Sequence, residues 1–471
     1  MLNQNKTFWI FTLSLFIILL IPSMLQQGMF LDGITYSAIS KNLADGIGSF
    51  WNPHYTNTLH SNFFEHPPLV FGFQSLFFKI FGYGFLTENI YSLFTCLLSS
   101  TAIFLIWSQL FKKTEYKNWG WIPLLFWIIT PIINWSFKNN LLENTLSVFT
   151  LFAVLFQILS IQKNNYSFLI LASLSIVLGF LSKGFVALFP LITIWIYILV
   201  FKEFKKYKLF FSAIASTLLP ILFLIILYFL IPGFQNNFDH YLSQQLFPAI
   251  QNQREVTTHF HANLVLQLLF QLIIPVLITI IFIVIQYFKK EKAFFENKKS
   301  ALFFLLIGLS ASLPLLITLK QRTFYLVPSI PFFILALSCF VIPFVKSTLL
   351  LISIKMHQWI QWISILLIVI TLSFSIIQFG AIKRDHEIFH EIREISRFVP
   401  DHENIYTHKS IWENWKLTAY LSRYHNISLN PDIEEKYLLF PKQLILPPTL
   451  SEKYELVNSN LINYTLYKQK D

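Results

Sequence analysis

Charge is scarce in this chain, and the scarcity sets its class. Only 13% of the 471 residues are charged while 55% are hydrophobic, and the mean hydropathy is +0.57. That balance excludes an ordinary water-soluble globular domain and points to an integral membrane protein. Cysteine is nearly absent: Cys96 and Cys339 both fall in apolar runs, which excludes a disulfide framework. No glycine-rich loop of the kind that cradles phosphates is present, so nothing points to a nucleotide or ATP. There is no internal repeat of clear period and no low-complexity linker. The first apolar run lacks a small-residue cleavage site and leads into Gln26-Gln27-Gly28-Met29, which reads as an uncleaved anchor.

What is present is a series of long apolar runs. A helix needs roughly 20 residues to cross a hydrocarbon core of about 30 Å. Eleven spans are expected: 8–25, 86–110, 121–135, 141–161, 168–181, 185–201, 209–231, 264–288, 302–319, 324–345 and 359–379. The pair around Lys183 is short and reads as a hairpin. Lysines concentrate on one side of this series: Lys6, Lys112, Lys113, Lys117, Lys163, Lys202, Lys205, Lys206, Lys208, Lys289, Lys290, Lys292, Lys298, Lys299, Lys346 and Lys355, against Glu115, Glu203, Glu291 and Glu296. By the positive-inside rule these segments are cytoplasmic. Loop 26–85, loop 232–262 and the tail then face outward. Residues 1–382 read as the membrane part, and 383–471 as a nearly neutral outward unit. The net charge of +11 therefore belongs to the membrane part, and topology explains it without nucleic-acid binding. In the tail, 386–398 and 410–424 have helical spacing, 404–407 and 426–429 are strand-like, and 454–467 reads as a hairpin around 458–460. A small α/β domain is expected.

Polar residues cluster where the first span ends. Residues 30–69 contain Asp32, Asp45, Glu65, His54, His60 and His66. Ionisable groups beside apolar spans are costly, so each needs a reason to persist. Asp32 reads either as the N-cap of a helix over 34–43 or as a carboxylate at the membrane boundary that takes a proton from an incoming hydroxyl. Asp45, in Ala-Asp-Gly-Ile-Gly, reads as a turn residue. In Glu65-His66-Pro67-Pro68-Leu69 the prolines hold the acid and imidazole in an extended segment, before an apolar stretch, 70–81, that suits an interfacial helix. The bland reading of that motif is a rigid helix start with an exposed acid. Lys183, Arg254, Lys320 and Arg322, at outward span ends, read either as headgroup anchors or as a phosphate-binding cluster. Phosphate binding is favoured for Lys183 and at least one of Lys320 and Arg322. His357 and the tail histidines read as surface residues.

The order of these elements resembles a known family. Asp32 just after the first span, Tyr36 and Asn42-Leu43 a turn or two on, Glu65-His66-Pro67-Pro68-Leu69 and Ile80-Phe81-Gly82 resemble the GT-C glycosyltransferases related to protein O-mannosyltransferases and lipid A aminoarabinose transferases. Leu181-Ser182-Lys183-Gly184-Phe185-Val186 is similar to the family's Thr/Ser-Lys-Gly-Pro-Val signature, with Phe185 where proline is usual. Lys320-Gln321-Arg322-Thr323-Phe324-Tyr325-Leu326-Val327-Pro328-Ser329-Ile330-Pro331 resembles its Lys/Arg-x-x-x-Tyr-x-x-Pro-x-x-Pro element. The matches run in order from about 30 to 331.

The resemblance implies an α-helical polytopic fold in a bacterial cytoplasmic membrane, with Asp32 and Glu65 catalytic and Tyr36, His66, Glu143, Lys183, Lys320, Arg322 and Tyr325 binding substrate. It also implies a divalent metal between Glu65 and a histidine of the second outer loop. His240, His259 and His261 are available there, and His261 has the best spacing; by ligand count the site is poor. The implied reaction is inverting transfer of a sugar from a polyprenyl-phosphate donor to a lipid or protein acceptor. Basic groups would hold the phosphate, and Asp32 would activate a hydroxyl acceptor or, for a phosphate acceptor, orient the sugar. A transporter or flippase for a lipid-linked sugar is the rival. It calls for mid-membrane ionisable residues and ideally a repeat. A noncatalytic subunit presenting its tail would leave the ordered motifs unexplained.

Overall fold

The structure, a computed structural model, describes residues 2–289, 297–349 and 352–470. Lys290, Glu291, Lys292 and Glu296 of the charge bias lie outside the described residues. Among the described residues nine apolar helical segments are long enough to cross a membrane: Asn5–Met24, Thr87–Leu110, Leu142–Lys163, Ser167–Phe201, Tyr207–Leu230, Asn263–Ile285, Lys298–Ile317, Ile330–Leu349 and Ile354–Ile377. Leu142–Lys163 and Ile330–Leu349 are the most enclosed, whereas Tyr207–Leu230 and Ile354–Ile377 present long apolar faces outward. With hydrocarbon as the solvent for those faces, their exposure has no hydrophobic cost.

Two span expectations and one residue expectation change. The span over 121–135 is not one helix. It breaks into Trp121–Ile128 and Pro131–Lys138, because Pro131 has no N–H and pushes Thr130 into an extended conformation. The spans over 168–181 and 185–201 belong to one apolar segment, which folds at Gly184, where φ is 75°. A Cβ built on Gly179 would lie 3.2 Å from that of Ala187, so the two arms return against each other. His357, expected at the surface, is buried edge-on to the Phe8 ring at 5.6 Å.

Between the first two long helices lie helix Leu31–Ala44 and the 13-residue helix Leu69–Phe81. The second covers the stretch 70–81, expected to be helical. They join through a buried bond from Ser40 Oγ to Gln74 Oε1, 2.9 Å. Asp45 ends the first helix and pairs with Lys41, a turn role as expected.

The C-terminal unit is a five-stranded sheet: β1 Asn404–Thr407, β2 Ser428–Asn430, β3 Tyr437–Pro441, β4 Tyr454–Asn458 and β5 Tyr464–Gln469, in the order β2-β1-β3-β5-β4. β1 runs parallel to β2 and β3, and β5 antiparallel to β3 and β4. Helices His386–Ile395 and Trp415–His425 accompany the sheet. The second docks on helix Leu31–Ala44 through Arg423. Its guanidinium donates to Ser37 Oγ (2.8 Å), to Glu88 Oε2 (2.9 Å) and to the carbonyls of Tyr83 and Gly84. Arg423 and Glu88 are both 1% exposed, and the ion pair stands because the guanidinium's other N–H groups are also satisfied.

Candidate active site

Helix Leu31–Ala44 starts where it does because its first turn is wedged in place. Gly33 allows this: a Cβ there would lie 2.0 Å from the Asn139 carbonyl oxygen. The backbone N–H of Phe30 donates to Asn139 Oδ1 at 2.7 Å, and that of Met29 to the Tyr420 hydroxyl at 3.2 Å. Phe30, not Asp32, holds the N-cap position, with no side-chain cap. Asp32 is thus free of the capping role and lines a cavity.

The cavity has a volume of about 720 Å³. Its walls bring together Asp32, Tyr36, Glu65, His66, Lys183, Lys320, Arg322 and Tyr325, all singled out in the sequence. Glu143 lies behind this surface, its carboxylate in a largely buried ion pair with Lys183. Lys183 Nζ also stands 5.6 Å and 5.1 Å from the centres of the Phe324 and Tyr325 rings, within cation–π range. Its backbone neighbour Gly184 is required, because a Cβ there would meet the Tyr241 hydroxyl at 2.4 Å.

Charge in the cavity is mixed and close-set. Arg322 Nη2 donates to Glu255 Oε1 at 2.6 Å, Lys320 lies 3.6 Å from the same carboxylate, and Arg254 reaches Glu65 at 4.0 Å. Burial pushes Asp32 up to about 6, against the pull of Lys183 and with the help of Glu143. Burial, with Lys183, Arg254 and Lys320 nearby, holds His66 well below the usual imidazole range, so it is neutral. Burial and the neighbouring Arg254 also lower Lys320. Burial raises the Tyr36 and Tyr325 phenols, which stay protonated donors.

The metal expected between Glu65 and His261 does not fit this arrangement. His261 is not part of the cavity wall, and its Nδ1 lies 2.8 Å from the Leu316 carbonyl oxygen. Glu65 faces Arg254 instead, and His240 stacks on Phe64 at 4.6 Å. Among the described residues no group of three or more His, Cys, Asp or Glu could hold an ion. Spacing along the chain favours His261, but the 232–262 loop folds so that Arg254 and Glu255 reach the cavity in its place.

The sequence reading also missed Glu255, Gln245, Trp415 and Lys416 in the wall. Glu255 had a usable signal, as an acid beside Arg254 in an outward loop short of carboxylates. Trp415 and Lys416 had none, since only the docking of the C-terminal unit brings them there.

Residues 65–231 match the sequence profile of the family described as dolichyl-phosphate-mannose-protein mannosyltransferase. The fold is similar to that of ArnT from Cupriavidus metallidurans bound to undecaprenyl phosphate, with TM-score 0.63, 11% identity, and 97% of each chain covered. For the apo state of the same protein the TM-score is 0.64 at 12% identity, over 97% of this chain and 96% of that one. The apo oligosaccharyltransferase of Archaeoglobus fulgidus is similar over 90% of this chain and 64% of its own, with TM-score 0.51 and 11% identity. No curated protein matches by sequence. The apolar helices, the C-terminal sheet unit and these similarities together make the chain a multi-pass membrane protein of the GT-C glycosyltransferase fold.

Proposed function

We propose that this protein transfers a sugar from a polyprenyl-phosphate donor to a lipid or protein acceptor at the outer face of a bacterial cytoplasmic membrane. The observation that carries the reading is one cavity holding Asp32, raised to about 6, together with the cations Lys183, Arg254, Lys320 and Arg322. A carboxylate with that pKa is largely ionised near neutral pH yet basic enough to accept a proton. In the reaction, Asp32 takes the proton of the acceptor hydroxyl as its oxygen attacks the anomeric carbon. The bond from that carbon to the lipid phosphate breaks on the opposite side, inverting the centre. Negative charge then grows on the phosphate, where the cations stabilise it. Tyr36 and Tyr325 donate hydrogen bonds to the sugar, and Glu143 holds Lys183 in place. If the acceptor is a phosphate, no base is needed and Asp32 orients the sugar instead. The undecaprenyl phosphate bound by the Cupriavidus protein supports a lipid-phosphate donor.

The test uses purified protein in nanodiscs with a polyprenyl-phosphate sugar, following release of polyprenyl phosphate. Asp32→Asn should lower turnover about 10³-fold while leaving the fold intact. Wild-type turnover in that variant overturns the assignment. Carrier movement across the bilayer without cleavage would establish the flippase instead. Mass spectrometry of glycolipids and glycoproteins from cells with and without the protein identifies the acceptor.

A further inference from the structure

A second cavity lies at the far end of the molecule from Asp32. The helix Leu142–Lys163 places Glu143 at the catalytic end, and at 1.5 Å per residue its last turn lies roughly 25 Å further along. There Ser160 and Tyr197 meet the start of the helix Tyr207–Leu230 around a space of about 500 Å³. Lys205, Lys206 and Lys208 contribute to its wall. Exposed Lys206 pairs with half-buried Glu203 at 2.9 Å, while Lys205 and Lys208 are in no ion pair among the described residues.

Three further observations separate this cavity from a merely basic surface. Ser160 is 3% exposed and lines the cavity, yet its hydroxyl has no hydrogen-bond partner among the described residues. By contrast, Ser173, Ser175 and Ser182 on the next helix each donate to the carbonyl four residues back. The helix Tyr207–Leu230 begins here without a side-chain cap, and the N–H groups of Tyr207 and Lys208 have no acceptor among the described residues. Those free amides carry the positive end of a 24-residue helix. Finally, Tyr207 in the cavity wall and Phe204 and Phe211, close to it in the chain, are exposed aromatic residues. Aromatic rings collect at the boundary between headgroups and acyl chains.

We infer that this cavity binds the phosphate of an anionic phospholipid from the leaflet opposite the catalytic one. Residues carrying ammonium groups, unpaired helix amides and an unpartnered hydroxyl all line one space, and a phosphate requires such donors. The flanking aromatic and apolar surface suits the acyl chains. A free phosphate would use the same donors but not that surface.

Native mass spectrometry of the purified full-length protein, titrated with phosphatidylglycerol, tests this. The wild type should retain one phosphatidylglycerol more strongly than phosphatidylcholine. Lys205→Gln/Lys206→Gln/Lys208→Gln should weaken retention about a hundredfold, on the basis that each basic residue near the surface contributes about a factor of five. Ser160→Ala, which leaves the charge unchanged, should weaken it about threefold, as expected for loss of one hydrogen bond. The control Lys298→Gln/Lys299→Gln removes two lysines from the same face and should change nothing. Equal losses in the control, or full retention in both the triple variant and Ser160→Ala, would reduce the lysines to general anchors and overturn the site. Displacement of the lipid by millimolar glycerol phosphate would assign the cavity to a soluble phosphate and overturn the lipid assignment.

Discussion

The two walls of the Asp32 cavity are built by different physics. The wall carrying Asp32 is buried and wedged: Gly33 presses on the Asn139 carbonyl, Phe30 is tied to Asn139, and Arg423 locks the same helix to the C-terminal unit. The facing wall is held by charge pairs that water reaches. Arg322 and Glu255 are 41% and 56% exposed, and Arg254 and Glu65 are 4.0 Å apart. Buried packing holds a side chain to one geometry, whereas exposed ion pairs contribute little to stability and exchange partners readily. Asp32 therefore sits on the rigid side and Arg254, Lys320 and Arg322 on the side that yields, while Lys183 is fixed by its largely buried pair with Glu143.

The largest effect should come from breaking the wedge. Gly33→Ala forces a Cβ onto backbone, so the start of the helix must move; we expect roughly 3 kcal/mol or more of destabilisation, read as a lower Tm, and near-complete loss of transfer. A normal Tm and normal transfer would show that this wall is not rigid.

Next is the pH profile. Asp32 is raised, so its ionised form is reached only above about pH 6, and kcat/KM should fall about tenfold per unit below that. The sign for stability is opposite. Between the unfolded carboxylate range and about 6 the folded state binds the extra proton, so ionisation costs stability as pH rises through that window. Asp32→Asn should therefore match or exceed the wild-type Tm at pH 7. A flat rate profile from pH 5 to 8 would remove Asp32 as the base.

On the yielding wall, Arg322→Lys should raise the donor concentration needed for half-maximal rate about tenfold, because an ammonium cannot replace a guanidinium gripping phosphate with two parallel bonds. Donor titration at equal protein concentration decides it, and unchanged dependence would return Arg322 to an anchoring role.

The smallest effect is expected at Glu255. Its pairs with Arg322 and Lys320 are exposed, so Glu255→Gln should change stability by no more than about 0.5 kcal/mol, seen as an almost unaltered Tm. A large loss would erase the contrast between the walls.

Much of this was legible along the chain. Apolar run length gave nearly all the long helices, because crossing a hydrocarbon layer demands a continuous local pattern. Alternation in the tail gave the β4–β5 hairpin and the β1 strand over 404–407, and missed β3, whose residues are mostly buried on both faces and do not alternate. The Pro131 break escaped because hydropathy ignores the backbone. In the cavity, residues inside short motifs were found: Asp32, Glu65-His66, Lys183, and Lys320 with Arg322 and Tyr325.

The sequence by itself determined the membrane class, the polar segment after the first helix and the residue types able to do acid–base and phosphate chemistry, since each is a local property of composition or spacing. Only the tertiary structure decided that Glu143 pairs with Lys183, that Arg254 rather than His261 faces Glu65, and that Trp415 comes to the cavity from the far end of the chain. It also decided the pKa of Asp32, because desolvation and neighbouring charge arise from groups brought close by packing rather than by sequence.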